Sequence, residues 1–227
     1  MIFNKRIICI IPAKKKSSGL KMKNFKKING HPLYIHSINY AKKLRYIDKI
    51  VVSSDSDKII KKSNLKKVLT IKRPAKLASN KALIKDVILH VLKKVKEKFD
   101  ILVLLQPTTP IISVKELEAG LKILIKKNYS SVISVKEGKV TIPHLLKKNK
   151  NGIVNHITRK KIISSNRQDF NKYFLPSGDF FICKINQFLK NKTFYMKKSF
   201  GLITKNQFSV DINFQDDLDY LNFLIKR

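Results

Sequence analysis

Residues 6–24 read RIICIIPAKKKSSGLKMKN. The run from Ile7 to Ile11 is apolar at every position, with no alternation. A strand that buries both faces has this pattern, and such strands lie inside a parallel sheet covered by helices. What leaves the run is a polar loop. It carries Lys14, Lys15, Lys16, Lys21 and Lys23, with Ser17, Ser18 and Gly19 between them. In a doubly wound sheet the ligand lies beyond the carboxyl ends of the strands, where this loop begins. Glycine opens backbone torsions closed to other residues, and exposed N–H groups, hydroxyls and ammonium groups together suit a phosphate chain. The loop contains neither G-x-x-x-x-G-K-[ST] nor G-x-G-x-x-G, so its composition alone does not separate a phosphate cradle from a solvated basic loop.

The pattern repeats outward from this strand. PLYIHSINYAKKL (32–44) has helical spacing, and KIVVSS (49–54) is a second strand followed by a short helix, DSDKIIKKS. KVLTI (67–71) reads as a third strand, and NKALIKDVILHVLKKVKEKF (80–99) as a long amphipathic helix with Leu83, Val87, Leu89, Val91 and Leu92 near one side. DILVLLQ (100–106) and SSVISV (130–135) are further strands. The helix between them, 113–127, opens on Ser113 with Glu116 three residues on, the spacing of a capping box. Strands alternating with helices predict an α/β fold with a doubly wound, mostly parallel sheet. The alternation breaks from 138 to 178, where Gly138, Pro143 and Asn151-Gly152 punctuate short β-prone pieces, and returns with DFFICKI, SFGLIT and a last helix, DDLDYLNFLIKR. We expect one domain over 1–227, with 138–178 as a small inserted arm.

The chain has 227 residues, is 43% hydrophobic and carries a formal charge of +34. Six of its 49 basic residues are arginine, leaving 43 lysines spread over nearly every expected helix. Base and phosphate readers favour the bidentate arginine fork, so this is a lysine-coated surface and specific nucleic-acid binding is not expected. No apolar run reaches the roughly 18 residues that span a bilayer, so no membrane partner is expected. The N-terminal apolar stretch has charges close on both sides and no small-residue cleavage site, which argues against a signal peptide. Cys9 and Cys183 lie inside apolar segments and read as buried free thiols, pointing to the cytoplasm. His31, His36, His90, His144 and His156 share no metal-ligand spacing.

Several segments, in order, resemble the acylneuraminate cytidylyltransferases, the CMP-sialic acid synthetase family. IPAKKKSSGLKMKN followed by INGHPLYIHSI resembles IPARxGSKGIPxKN followed by xxGxPLIxxSI. VVSSDSDKI (51–59), KRPAKLASN (72–80), LLQPTTPI (104–111), NRQDF (166–170), SGDFFI (177–182) and SVDINFQDDLDYLNFLI (209–225) resemble VSTDdexI, xRPxxLAxD, LLQPTSPL, RQD, NGAIYI and xxDIDTxxDLxxAExxL. The resemblance runs from residue 6 to 225. It implies a Rossmann-like nucleotidyltransferase that joins CMP from CTP to a sialic-acid-like nonulosonic acid, releases pyrophosphate with Mg2+ assisting, and works as a homodimer through the 138–178 arm. Ala13, Lys14, Ser17, Lys23, Asn24 and Arg73 would bind the nucleotide, and Lys23, Gln106 and Asp211 would serve catalysis. Gln106, Thr108, Thr109, Arg167 and Gln168 would meet the sugar, and Asp211 with Asn213 would hold the metal.

The departures gather at the expected site. The first-loop arginine is Lys14, the glycine is Lys16, the lysine is Ser18 and the proline is Lys21. A polar helix residue is Ile84, the acid ending LAxD is Asn80, the arginine after PTSPL is Ile112, and the second acid of DID is Asn213. An amide oxygen ligates magnesium without adding charge. The alternative expectation is therefore a degenerate member that binds nucleotide or sugar without efficient turnover.

Overall fold

The computed structural model describes residues 4–138, 145–156 and 172–226. In chain order the strands are β1 (Ile7–Pro12), β2 (Lys27–Ile28), β3 (His31–Pro32), β4 (Lys49–Ser54), β5 (Val68–Lys72), β6 (Ile101–Leu104), β7 (Ser131–Glu137), β8 (Leu146–Lys148), β9 (Val154–His156), β10 (Phe174–Lys184) and β11 (Ser199–Ile203). The helices are α1 (Leu33–Lys43), α2 (Asp57–Ser63), α3 (Ile84–Lys94), α4 (Val114–Lys126), α5 (Ile185–Asn191) and α6 (Gln215–Lys226). Seven strands form one sheet in the order β11-β7-β10-β6-β1-β4-β5, and β2–β3 and β8–β9 form two small ribbons. All neighbours in the main sheet pair in parallel except β10, which runs antiparallel to both β6 and β7. This is the α/β architecture expected from the alternation.

The two-residue period of β1 sorts its side chains between two layers. Ile7, Cys9 and Ile11 pack with Tyr34, Ile38 and Ala41 of α1 and Leu117, Leu121 and Leu124 of α4. Ile8 and Ile10 face the opposite way, against Ile88 and Val91 of α3 and Phe188 of α5. Every β1 side chain from Ile7 to Ile11 is fully buried, which is why the run has no polar member. Complete burial of a side chain such as Tyr34, Phe180 or Phe188 contributes roughly 2 kcal/mol. A third cluster sets α6 over β2 and the start of α1, through Leu218, Leu221, Ile212, Ile28 and Leu33. Cys9 and Cys183 belong to opposite layers, and both are free thiols whose burial pushes their pKa well up.

Three elements differ from expectation. The long amphipathic helix is shorter: α3 begins after Leu83, which is 54% exposed, and ends at Lys94. Ser113 does accept the Glu116 N–H at 3.3 Å, but the Glu116 carboxylate turns away and accepts the N–H of Lys205 at 2.8 Å, so only half of the capping box forms. The β10 strand starts at Phe174 rather than Asp179. Its pairing with β7 slips between Pro176 and Phe181, where Gly178 has φ +84° and Ser134 Oγ bonds both the N–H and the carbonyl of Phe180. This bulge bends the strand beside the loops described next. Among the described residues no helix is long and apolar enough to cross a membrane.

Candidate active site

The loops leaving the carboxyl ends of β1, β5 and β6 surround a cleft of about 280 Å³. Lys14, Ser17, Lys23, Asn24, Arg73, Gln106 and Thr108 line it, so residues from three separated segments meet at one place. Lys16, which stands where the resembled motif has glycine, is exposed and does not line the cleft.

The first loop is cross-linked to itself. Asn24 Nδ2 donates to the Lys14 carbonyl at 2.7 Å, and the Lys23 N–H donates to Ser17 Oγ at 3.2 Å. Met22, at φ 55°, turns the chain back so that Lys23 points inward. The Lys15 N–H donates to Asp55 Oδ1 at 2.7 Å, which ties the loop to the end of β4. Lys14 Nζ reaches Asn80 Oδ1 at 3.2 Å across the cleft. Gly19 does not adopt a left-handed conformation. Its value is closeness: a Cβ there would lie 2.3 Å from the Asn213 carbonyl oxygen.

Lys23 is 8% exposed, and its ammonium donates to the Ile212 carbonyl at 2.6 Å and to Asn213 Oδ1 at 2.9 Å. Burial lowers its pKa, Asp211 and Asp217 partly restore it, and Lys14 lowers it further. An ammonium has three donors, so one is left for a ligand. Arg73 is also buried. Its Nη2 donates to the Ser53 carbonyl and Nη1 to the Leu77 carbonyl at 3.4 Å, while Nε has no partner among the described residues. Burial lowers its pKa to about 10, against the opposing pull of Asp55.

Asp211 and Asn213 stand beside Lys23 but are not among the residues that line the cleft. The Asn213 amide bridges the two charges, with Oδ1 toward the Lys23 ammonium and Nδ2 toward Asp211 Oδ2 at 2.9 Å. The partners fix this orientation, because an ammonium only donates and a carboxylate only accepts. Asp217 Oδ2 accepts the N–H groups of Asn213 and Phe214 at 2.7 and 2.8 Å, capping the start of α6. For magnesium, the donor set offers one exposed carboxylate, Asp211. That ion is commonly held by one or two carboxylates with water and phosphate oxygens, so Asp211 fits it. Asn213, as placed, turns its NH2 group toward Asp211, and so is not oriented as a second ligand there.

Other expected residues fall elsewhere. Ala13 is fully buried, and its N–H donates to the Ser53 carbonyl at 2.9 Å. Thr109 is 2% exposed, and its hydroxyl donates to the Gly178 carbonyl at 2.6 Å, away from the cleft. Arg167 and Gln168 lie outside the described residues. Sequence reasoning missed a second, more apolar pocket of about 380 Å³, which shares Ile84 and Gln106 with the cleft and is walled by Leu83, Phe181, Phe194 and Tyr195, with Lys85 and Lys192 at hand. The aromatic pair inside KTFYMKK (192–198) was its one local signal.

A cytidylyltransferase family model matches residues 8–224. The chain is 25% identical over 213 residues to the N-acylneuraminate cytidylyltransferase of Streptococcus agalactiae serotype V, covering 92% of this chain and 51% of that one. It thus spans about half the length of the first curated relatives it matches. It is 24% identical over 231 residues to the pseudaminic acid cytidylyltransferase of Campylobacter jejuni, covering 96% of each. In structure it is similar to a CMP:2-keto-3-deoxy-manno-octonic acid synthetase complexed with CTP, with a TM-score of 0.70 and 14% identity over 98% of this chain and 99% of that one.

Proposed function

The chain belongs to the cytidylyltransferase family, and from that premise we propose that it transfers CMP from CTP to the anomeric hydroxyl of a nonulosonic acid of sialic or pseudaminic type. The sugar hydroxyl gives up its proton to water as its oxygen forms a bond to the α-phosphorus of CTP, the bond from that phosphorus to the bridging oxygen breaks, and pyrophosphate leaves with the electron pair. The observation that carries the reading is the meeting of Lys14, Lys23 and Arg73 on one cleft at the carboxyl ends of the strands, next to an apolar pocket reached past Gln106.

Both substrates are anions, so bringing them together requires fixed positive charge and an aligned attack. Lys14, Ser17 and Lys23 hold the triphosphate, with Asn24 keeping their loop closed around it. Arg73, held by the Ser53 and Leu77 carbonyls in the cleft wall, serves the cytidine side. Gln106 and Thr108 orient the sugar. The pocket beyond Gln106 suits acyl and deoxy groups, and Lys85 and Lys192 suit the sugar carboxylate. A magnesium ion on Asp211 would supply further charge neutralisation at the phosphates. On the same reading 1–227 is one domain with 138–178 as its arm, and Arg167 and Gln168 are sugar-binding residues. The exposed Leu146, Ile153, Val154, Phe174 and Leu175 support pairing of two copies along that arm.

A pyrophosphate-release assay with CTP, magnesium and a panel of nonulosonic acids tests this. Release with at least one sugar, and with CTP well above UTP or ATP, is expected. One observation favours a second reading, binding without efficient turnover: Asn213 brings no charge beside Asp211 and its oxygen already serves Lys23. CTP or sugar binding with no release on any sugar would select that reading, and binding of neither would defeat both.

A further inference from the structure

Asp179 is 1% exposed on the bulge of β10, where the resembled motif NGAIYI has alanine. Nothing in the chemistry above uses it. Its Oδ1 accepts the Ser209 hydroxyl at 2.6 Å, and the hydroxyls of Ser177 and Thr204 also favour its ionised form. Oδ2 has no partner among the described residues, and Glu116 is the neighbouring acid. A buried carboxylate is costly, and an alanine would fill a strand position without that cost. The acid therefore calls for a reason.

The hydrogen bonds around it close a ring. Asp179 holds Ser209, and two residues later the chain reaches Asp211. The Ile212 N–H donates to the Thr108 carbonyl at 2.8 Å. The adjacent Thr109 hydroxyl donates to the carbonyl of Gly178, the residue before Asp179, at 2.6 Å. Gly178 has φ +84°, and a Cβ there would stand 3.1 Å from the Thr109 methyl, so a larger residue would be strained and would crowd this contact. Glu116 on Lys205 N and the Ile111 carbonyl on Asn206 Nδ2 fasten the start of the same segment at 2.8 Å each.

We propose that Asp179 is a positioning residue, which through Ser209 sets the segment 209–213 at a fixed height against the 106–109 loop and so places Asp211 opposite Lys23. The proposal rests on the functional reading for its consequence, but not for its geometry. A carboxylate gives a stronger acceptor than a neutral group, and a charge-assisted bond of this length resists fraying of a loop that has no regular structure.

The test compares Asp179→Ala, Asp179→Asn, Ser209→Ala and the double variant Asp179→Ala/Ser209→Ala. Amide hydrogen exchange over 208–213 is measured without substrate, and the magnesium concentration for half-maximal pyrophosphate release is measured with substrates. Asp179→Ala and Ser209→Ala are each expected to speed exchange at Val210 and Ile212 by about tenfold, and to raise the magnesium requirement severalfold while the KM for CTP stays within twofold. The double variant should be no worse than the poorer single one, since both changes break one bond. Asp179→Asn keeps a weaker, neutral acceptor for Ser209 and should recover part of the loss. Lowered melting temperature with unchanged exchange at 208–213, or additive effects of the two substitutions, would overturn the proposal. If Asp179→Ala does not fold, Ser209→Ala decides by the same readouts. A wild-type protein that releases no pyrophosphate would defeat the functional reading alone, and hydrogen exchange would still decide the clamp.

Discussion

Replacing Gly19 with alanine isolates the contact between the first loop and the Asp211 segment. The new Cβ would lie 2.3 Å from the Asn213 carbonyl oxygen, whereas such contacts essentially never fall below 3.0 Å and usually exceed 3.4 Å. The two backbones must separate by about 0.7 to 1.1 Å, because the opposing atom is main chain and cannot rotate away. The Leu20 N–H, next in sequence, donates to that same oxygen at 2.8 Å. Opening the contact stretches this bond toward 3.5 Å or more and loses about 1 kcal/mol of stability. The larger effect is on alignment. Lys23 moves with the first loop and Asp211 with the other, and a displacement of about 1 Å between groups that must act together can lower a rate by about 100-fold. Pyrophosphate release at saturating CTP and sugar should therefore fall by about two orders of magnitude in Gly19→Ala, with only a small drop in melting temperature. Gly30→Ala is the control: Gly30 has φ +77° and nothing within 4 Å, so alanine there costs about 1–2 kcal/mol of stability with turnover unaffected. Turnover in Gly19→Ala within threefold of wild type would refute the reasoning, since the loops would then have no need to meet so closely.

Asn213→Asp keeps an oxygen for Lys23 and places a second carboxylate beside Asp211, so the magnesium concentration for half-maximal activity should fall by about tenfold; an unchanged or higher requirement, read by titration at saturating CTP, would contradict this. Arg73→Ala removes the buried guanidinium that joins the Ser53 and Leu77 carbonyls, and calorimetry should show CTP binding weakened at least tenfold with sugar binding less affected. An equal loss on the sugar side would move Arg73 from the nucleotide. Burial raises the pKa of Asp179 from 3.8 to about 6, so the folded chain keeps a proton there that the unfolded chain has released. Stability from this group is therefore highest below pH ~4 and declines as pH rises to ~6, by about 3 kcal/mol in total. Denaturant unfolding of wild type and Asp179→Asn at pH 4 and pH 7 should show wild type losing ground to the variant by that order; a constant difference would place the Asp179 pKa near its ordinary value.

The alternation of apolar strands with amphipathic helices was legible in the sequence because each element buries its own periodic face. Ile7 to Ile11 had to lie between two layers wherever the other strands went. The segments carrying Lys23, Arg73 and Gln106 were legible for a related reason, since each begins where a strand ends and all strand ends of one direction share a side of the sheet. What the sequence left open depends on pairs of residues far apart in the chain. The antiparallel course of β10 and its bulge follow from its neighbours, β6 and β7, and from the fit of Gly178 against Thr109. Gly19 read as a residue of special torsion, yet its role is to admit the Asn213 carbonyl, more than 190 residues away. Asn213 read as a weakened metal ligand, and only the positions of Lys23 and Asp211 on either side of it turned its amide into a bridge. Asp179 and the apolar pocket beside Gln106 had almost no local signature. A periodic pattern records burial, which each segment encodes by itself. The direction of a polar side chain is decided by whichever donor or acceptor the tertiary fold brings within 3 Å of it.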